Sequence, residues 1–312
     1  MLRSVALVLA LFSGAVAVHA ESSIAPIDPA AHERAVQQWR EGRVRRLTAP
    51  DGWLSLIGLE WLKEGANRIG SAAGNDIVLK AGPAHLGTLT LAHDGGLRLA
   101  LAKDSGATVD GKAVDEAVLV DDLHATGDAS PTTVAFGTAS FYVIDRDGRK
   151  ALRVKDSDAA TRRDFLGIDY FPIDPSWRVV ADWVAFGPGH TLEIGSVIGT
   201  IDKVEVPGKA VFQRDGHTFE LLPYQEEPGG DLFFVIGDRT SGKETYGAAR
   251  FLYAKLPEHG VGQDGKVILD FNEAYNPPCA FTAFATCPLA PPENRLDLRI
   301  TAGEKKYRGS EH

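Results

Sequence analysis

The chain has 312 residues, and its 42 acidic side chains outnumber the 33 basic ones, which gives a formal net charge of −9. Nucleic acids and anionic membrane surfaces are bound through concentrated positive charge, so this balance argues against both as partners. The length predicts one large domain or two of ordinary size.

The first 20 residues have the pattern of a signal peptide. The chain begins M-L-R, continues with an apolar stretch over residues 5–18 and reaches V-H-A before Glu21. These are the cationic, apolar and cleavage regions of an exported protein. A retained membrane anchor is the alternative, but it needs about 18 to 20 apolar residues, and this shorter stretch contains Ser13 and Gly14. We expect a periplasmic or secreted protein without membrane insertion after removal of the leader.

A helix is predicted soon after the leader. Asp28 is an N-cap acceptor, Pro29 stands at the first helical position, and apolar residues at i, i+4 spacing continue to Trp39. We expect a helix from Pro29 to about Arg40 or beyond, within an N-terminal helix and linker over residues 21–64. The basic residues that follow are interpreted as a solvated helix face: Arg43, Arg45 and Arg46.

The rest of the chain is predicted to be mainly β. Short β-like runs alternate with turn signals, and an Asp-Gly pair between two such runs is a strong signal for a two-residue hairpin. Such pairs begin at Asp147 and Asp215, and Asp110-Gly111 marks a third turn. We expect a β-sandwich over residues 65–155 and a second antiparallel module, a sandwich or a barrel, over residues 156–312.

Three segments of the first module carry a family resemblance: G-A-N-R-I-G-S-A-A-G-N-D-I-V-L from Gly65, A-T-V-D-G-K-A-V from Ala107 and T-V-A-F-G-T-A-S-F-Y-V-I from Thr133. In this order they resemble a forkhead-associated domain, a β-sandwich whose loops bind phosphothreonine peptides. In that family an arginine after the I-G pair holds the phosphate, and here Ser71 stands in its place. Because the bidentate guanidinium clamp is missing, we expect the fold without phosphopeptide binding.

The C-terminal half carries a second resemblance. It rests on D-R-T-S-G-K-E-T-Y-G-A-A-R-F-L from Asp238, L-D-F-N-E-A-Y-N-P-P-C-A-F from Leu269, C-P-L-A-P-P-E-N-R-L from Cys287 and I-T-A-G-E-K from Ile300. These segments resemble a bacterial family known only as a domain of unknown function (number 1684). G-W-L-S-L-I-G-L-E-W-L, from Gly52, is similar to the same family. The resemblance implies nothing about activity.

The chain has two cysteines, Cys279 and Cys287. An exported chain matures in an oxidising compartment, which favours a disulfide between them. A catalytic thiol or a metal pair is the alternative, but no histidine or further cysteine lies near in sequence to activate a thiolate or complete a zinc shell. We expect the disulfide, no metal site and no cofactor.

Polar residues set in or beside apolar strands form the candidate site, because a charge at the end of a buried strand must be paired or face a cleft. One reading is a structural network in which Arg250 bridges Asp238 and Asp270. The other is a pocket that recognises a polar ligand or carries acid and base roles. The candidates are Asp238, Thr240, Tyr246, Arg250, Asp270, Asn272, Asn276, Glu293, Asn294 and Glu304.

The sequence G-D-R-T-S-G-K-E has the spacing of a nucleotide-binding P-loop. Such a loop needs Ser or Thr after its lysine and a following helix, whereas Glu244 follows Lys243 here and residues 245–253 are predicted to form a strand. We therefore predict a β-turn from Thr240 to Lys243 and no nucleotide.

Two functional hypotheses remain open, and whether the chain is an enzyme stays undecided. The first is binding of a small polar ligand, a glycan or an envelope protein through the C-terminal module. The alternative is a secreted hydrolase or lyase that uses Asp238, Asp270, Glu293 or Glu304 as acid and base.

Overall fold

The computed structural model describes residues 28–126 and 129–309, so the predicted signal peptide lies outside the described residues. The predicted helix is present as α1, Pro29–Leu47, and the side chain of Asp28 caps it by accepting from the backbone nitrogen of Ala31 at 3.0 Å. The helix therefore ends seven residues beyond Arg40. Within the described ranges, no helix combines the length and apolarity needed to cross a membrane.

The first module is a β-sandwich of two five-stranded sheets. The strands are β1 Leu56–Trp61, β2 Gly65–Gly70, β3 Ile77–Val78, β4 Gly87–Leu91, β5 Leu97–Leu101, β6 Thr108–Val109, β7 Glu116–Leu119, β8 Val134–Phe136, β9 Ala139–Arg146 and β10 Arg149–Asp156. One sheet has the order β1, β10, β9, β8, β6 and the other β3, β2, β4, β5, β7, with β2 and β3 parallel and the other pairs antiparallel.

The two sheets share one core because apolar side chains alternate inward along their strands. Leu89 and Leu99 face it from one sheet, and Phe141 and Val143 face it from the other. Strand β1 falls within residues 21–64, which the sequence assigns to a helix and linker, and its pairing with β10 adds it to the sandwich. The resemblance of this module to a forkhead-associated domain stays a prediction.

The second module is antiparallel. Its strands are β11 Arg178–Ala185, β12 Thr191–Gly195, β13 Ile201–Glu205, β14 Gly208–Arg214, β15 His217–Leu221, β16 Leu232–Ile236, β17 Arg250–Ala254 and β18 Gly265–Asp270. A four-stranded sheet has the order β15, β14, β11, β18, and β12 pairs with β13 and β16 with β17. Trp183, Phe212 and Phe234 belong to one core that joins the four-stranded sheet to the β16–β17 pair. The chain is mainly β, as predicted.

Short helices connect these strands. The helix α2, Ala160–Arg163, follows the sandwich. The five 3-10 helices are Trp53–Ser55, Pro175–Trp177, Phe271–Glu273, Pro278–Ala280 and Pro292–Asn294. Helix α1 packs against the first three of them, so it contacts the segment that leads into the sandwich and two segments of the C-terminal module. The predicted disulfide between Cys279 and Cys287 is present.

The predicted Asp-Gly turns are confirmed. Asp147 and Asp215 have φ of 56° and 51°, and each stands with its glycine between paired antiparallel strands. Positive φ at both central residues is the geometry that favours Asp-Gly in tight hairpins. The turn from Thr240 to Lys243 is also present, since the nitrogen of Lys243 donates to the oxygen of Thr240 at 3.1 Å.

The strand predicted over residues 245–253 is only partly right. Strand β17 begins at Arg250, and residues 246–249 form an irregular connection. The nitrogen of Thr245 turns back to the carbonyl oxygen of Thr240 at 3.2 Å, which closes the loop and delays the strand.

Candidate functional site

Four charged side chains of the candidate region form a buried, electrically balanced group: Arg43, Asp238, Arg250 and Glu304. Glu304 accepts from Nε of Arg43 at 3.0 Å with one carboxylate oxygen and from the nitrogen of Asn276 at 2.8 Å with the other. Burial raises the pKa of Glu304, while the Arg43 guanidinium acts in the opposite direction. The interpretation of Arg43 as part of a solvated face is therefore wrong. Its side chain is buried, and its ion pair with Glu304 joins α1 to the C-terminal module.

Arg250 lies in a cradle of backbone carbonyls. Its guanidinium donates to the oxygens of Ile300 and Ala302, and its Nη2 lies 3.4 Å from Asp238. Burial lowers the pKa of Arg250, and Asp238 opposes that effect. Asp238 also accepts from the nitrogen of Ile300 at 2.7 Å and from the hydroxyl of Thr240 at 2.6 Å. These contacts join β17 to the C-terminal segment.

Asp270 does not contact Arg250 as the network reading predicted. It accepts from the nitrogen of Asn272 at 3.1 Å and pairs with His32 of α1. Asn272 in turn makes two hydrogen bonds to the backbone of Asp174, at 2.9 and 3.0 Å. This second network fixes the N-terminal part of α1 on the C-terminal module.

The remaining candidates are scattered. The side-chain amide of Asn294 makes two hydrogen bonds to the backbone of Leu222, both at 2.8 Å. It accepts from the nitrogen and donates to the oxygen, as the backbone of a neighbouring strand would. Glu293 is exposed, and Tyr246 is half-buried and packs beside the disulfide cluster. The amide of Asn276 donates to the oxygen of Lys305 at 2.7 Å. Apart from the exposed Glu293, the candidates thus make several separate structural contacts.

A large cleft lies elsewhere, at the junction of α1 with both β modules. Its volume is about 680 Å³, about twice that of a second concavity of about 330 Å³ beside residues 186–190. None of the ten candidates lines it. Its walls are formed by Trp39, Arg43, Arg46, Ala49, Asp51, Gly52, Trp53, Tyr142, Lys155, Glu226, Phe233, Phe251, Tyr253, Tyr275 and Pro278.

One wall of the cleft is a continuous aromatic surface. The rings of Phe233 and Tyr253 stack with centroids 4.7 Å apart, and those of Tyr253 and Tyr275 are nearly parallel at 6.4 Å. Trp39 extends the row, 6.0 Å from Tyr275. Burial raises the pKa of Tyr275 to about 12, so its hydroxyl is a neutral donor at physiological pH. Burial and Glu226, which accepts from the Tyr253 hydroxyl, also raise the pKa of Tyr253.

Comparison with known proteins adds the family. Residues 163–305 match the family described as Protein of unknown function (DUF1684). The C-terminal part of the chain is therefore similar to this family, as the sequence motifs suggested. Much of the aromatic wall of the cleft, including Phe233, Tyr253 and Tyr275, lies within the matched residues.

The other comparisons add little. A solution NMR structure of an uncharacterized protein from Haloarcula marismortui shares 29% identity, over 48% of this chain and 81% of that chain, with a TM-score of 0.39. That score is too low to carry an argument about the fold. The search of curated proteins found no match.

The cleft residues were missed by the sequence analysis, although one local signal could have found part of the set. Trp39, Arg43 and Arg46 have i, i+4, i+7 spacing and therefore share one face of α1. That face carries an aromatic ring and two guanidiniums, a combination more typical of a binding wall than of solvent exposure. The other cleft residues come from distant segments and share no sequence pattern.

One other group of side chains could in principle hold a metal: among the described residues, Asp121, His124 and Asp145 bring their ligand atoms within 4.8 Å of one another. The ammonium group of Lys150 already pairs with Asp121 and lies 2.8 Å from Asp145. A buried lysine between the two carboxylates neutralises the charge that a cation would need. We therefore interpret these side chains as a salt-bridge network around Lys150.

The interface between α1 and the C-terminal module also contains a carboxyl group that should make stability depend on pH. Burial, together with the charge of Asp270, raises the pKa of Glu273 from 4.5 to about 7. Between these values the folded protein holds a proton that the unfolded chain has released, so the free energy of unfolding falls as the pH rises.

Glu273→Gln should remove this dependence. At about pH 8 we expect the variant to be more stable than the wild type by about 3 kcal/mol, with no difference below about pH 4.5, in urea unfolding. Glu33→Gln, an exposed change on α1, serves as the control and should leave the pH profile unchanged. A Glu273→Gln effect of the same size at every pH would contradict this assignment.

Proposed function

We propose that the protein is exported and binds a small polar ligand with an apolar face in the cleft between α1 and the two β modules. The observation that carries this proposal is the aromatic wall of Tyr253 and Tyr275, which faces a cavity of about 680 Å³ and is supported from behind by the buried ring of Phe233. Ligand pockets of such size are typically lined by aromatic side chains with a few polar groups that orient the ligand. A sugar ring or an aromatic ring has the flat apolar face that such a wall accommodates.

Export is supported by the leader-like sequence of the first 20 residues and by the disulfide of Cys279 and Cys287. Disulfides persist in oxidising compartments. A periplasmic or extracellular location would place the cleft among small solutes, glycans and envelope components, the ligand classes expected from the sequence.

The hydrolase or lyase alternative receives no support from the predicted carboxylates. Asp238 and Glu304 are buried and occupied by arginine and backbone donors, and Asp270 is paired with His32. A general acid or base must come within hydrogen-bond reach of a substrate. None of these three lines the cleft, and Glu293, the fourth predicted carboxylate, is exposed and lies outside the cleft as well.

Ligand-observed NMR with a panel of mono- and disaccharides, aromatic acids, amides and amines tests the proposal. We expect at least one class of compound to bind the wild-type protein. Its affinity should fall about tenfold or more in Tyr253→Ser, because a stacked ring contributes about 1 to 3 kcal/mol to the binding free energy. Tyr253 is 39% exposed, so its replacement should leave the fold intact.

Leu166→Ser, at a 53% exposed position outside the cleft, is the matched control and should bind like the wild type. A panel in which nothing binds the wild type, or in which Tyr253→Ser and Leu166→Ser bind equally well, would overturn the proposal.

A further inference from the structure

One end of the cleft is built around the segment from Ala49 to Gly52 and carries two cations. The ammonium group of Lys155 donates to the carbonyl oxygen of Asp51 at 2.7 Å. The carbonyl oxygen of Arg46 lies so close to Gly52 that a Cβ there would be 2.5 Å away. Arg46 and Lys155 both line the cleft, so they flank the same short segment of its wall.

These two cations lack carboxylate partners. In the described part of the chain, the side chain of Arg46 makes no hydrogen bond or ion pair, and that of Lys155 makes one hydrogen bond and no ion pair. Neighbouring arginines differ, since Arg43 pairs with Glu304 and Arg45 lies 3.8 Å from Glu41. The Arg46 guanidinium therefore keeps its five donors for another partner, and the Lys155 ammonium keeps two of its three.

A third cation lies behind this end of the cleft. Arg153 is only 4% exposed, and its guanidinium carbon lies 5.3 Å from the ring of Trp53 and 5.9 Å from that of Tyr142, two cleft residues. It donates to the hydroxyls of Tyr142 and Thr286, and its buried Nε has no partner. No carboxylate among the described residues pairs with it. A buried positive charge without a counter-ion makes the potential of the adjacent cavity more positive.

Two carboxylates also line the cleft, but they do not cancel this charge. Asp51 is exposed to solvent, and its backbone oxygen, not its side chain, contacts Lys155. Glu226 accepts from the hydroxyl of Tyr253, which places it at the aromatic wall. A buried charge is screened less by solvent and salt than an exposed one. The buried Arg153 therefore contributes more to the potential in the cleft than an exposed aspartate at equal distance. The positive character of this end contrasts with the net charge of −9 of the whole chain.

We propose that the ligand of the cleft is an anion with a ring: Arg46 and Lys155 bind its carboxylate or phosphate oxygens, and the aromatic wall contacts the ring. This inference rests on the proposed function, because it specifies the chemistry of the ligand in the same cleft. A guanidinium and an ammonium can donate together to the oxygens of one anionic group, and such charge-assisted hydrogen bonds are about twice as strong as neutral ones.

The test uses four probes of similar size: benzoate, phenyl phosphate, benzamide and benzylammonium. Their dissociation constants for the mature full-length protein are measured by ligand-observed NMR at low and at physiological salt. We expect at least one of the two anions to bind about tenfold or more tightly than benzamide and benzylammonium. Comparing benzoate with phenyl phosphate distinguishes a carboxylate ligand from a phosphate ligand.

The variants Arg46→Gln and Lys155→Gln should each raise the dissociation constant of the preferred anion about tenfold and leave that of benzamide unchanged. Arg45→Gln is the matched control, because Arg45 lies one residue away, is 72% exposed at its side chain and does not line the cleft. It should bind all probes as the wild type does.

Two results would overturn the inference and are distinguishable from each other. Equal or tighter binding of benzamide or benzylammonium, unaffected by Arg46→Gln, would refute the anionic ligand while the cleft remains a binding site. The absence of binding by every probe and by the wider panel would refute the proposed function together with the inference.

Discussion

Glu304→Gln is expected to lower the free energy of unfolding by about 3 to 5 kcal/mol, because it removes the charge that balances Arg43 in a buried ion pair. The side chains of Arg43 and Glu304 are 7% and 0% exposed, so water cannot replace the lost partner. The free energy is measured by urea unfolding followed by circular dichroism.

Two further variants separate this explanation from a general sensitivity of the region. Glu293→Gln removes an exposed carboxylate and should change the free energy of unfolding by less than about 0.5 kcal/mol. Adding Arg43→Met to Glu304→Gln should recover most of the loss, because a neutral pair leaves no buried charge. If the double variant is less stable than Glu304→Gln alone, the charge explanation fails.

Asp238→Asn is expected to lower the free energy of unfolding by a similar amount, about 3 to 5 kcal/mol. Arg250 would keep its buried charge without the carboxylate, although its donations to the oxygens of Ile300 and Ala302 would remain. Asparagine would also offer one acceptor oxygen where Asp238 uses two, one for the nitrogen of Ile300 at 2.7 Å and the other for the hydroxyl of Thr240 at 2.6 Å.

The chain offers an exposed ion pair as the matched control. Arg239 pairs with Asp297, and their side chains are 59% and 83% exposed. Asp297→Asn should cost less than about 1 kcal/mol, as is usual for surface ion pairs. Equal losses for Asp238→Asn and Asp297→Asn would show that burial of the Arg250 pair has no special effect.

Local signals in the sequence predicted local structure well. Asp28 and Pro29 predicted the start of α1, and the Asp-Gly pairs at Asp147 and Asp215 predicted hairpins that the structure contains. In each case the information lies in adjacent residues, because capping and positive φ are local properties. The disulfide between Cys279 and Cys287 was predicted from composition, since the chain offers a single pairing.

The site was harder to predict because its chemistry depends on distant contacts. Polar residues in apolar strands were identified as important, but the sequence could not assign Glu304 to Arg43, 261 positions away. Nor could it show that Trp53, Tyr142 and Tyr253 face one cavity. From sequence alone, an aromatic residue is interpreted as part of the core, because only the tertiary structure shows whether one face of its ring is exposed.

Hydrogen exchange with and without the tightest-binding probe tests the central claim, that the cleft and not the polar candidate group is the binding site. We expect slower backbone exchange on binding in the end of α1 and the following segment, residues 39–55, and in residues 251–255. Slower exchange confined to residues 238–245 and 293–304 would contradict the claim, because those segments hold the polar candidates and do not line the cleft.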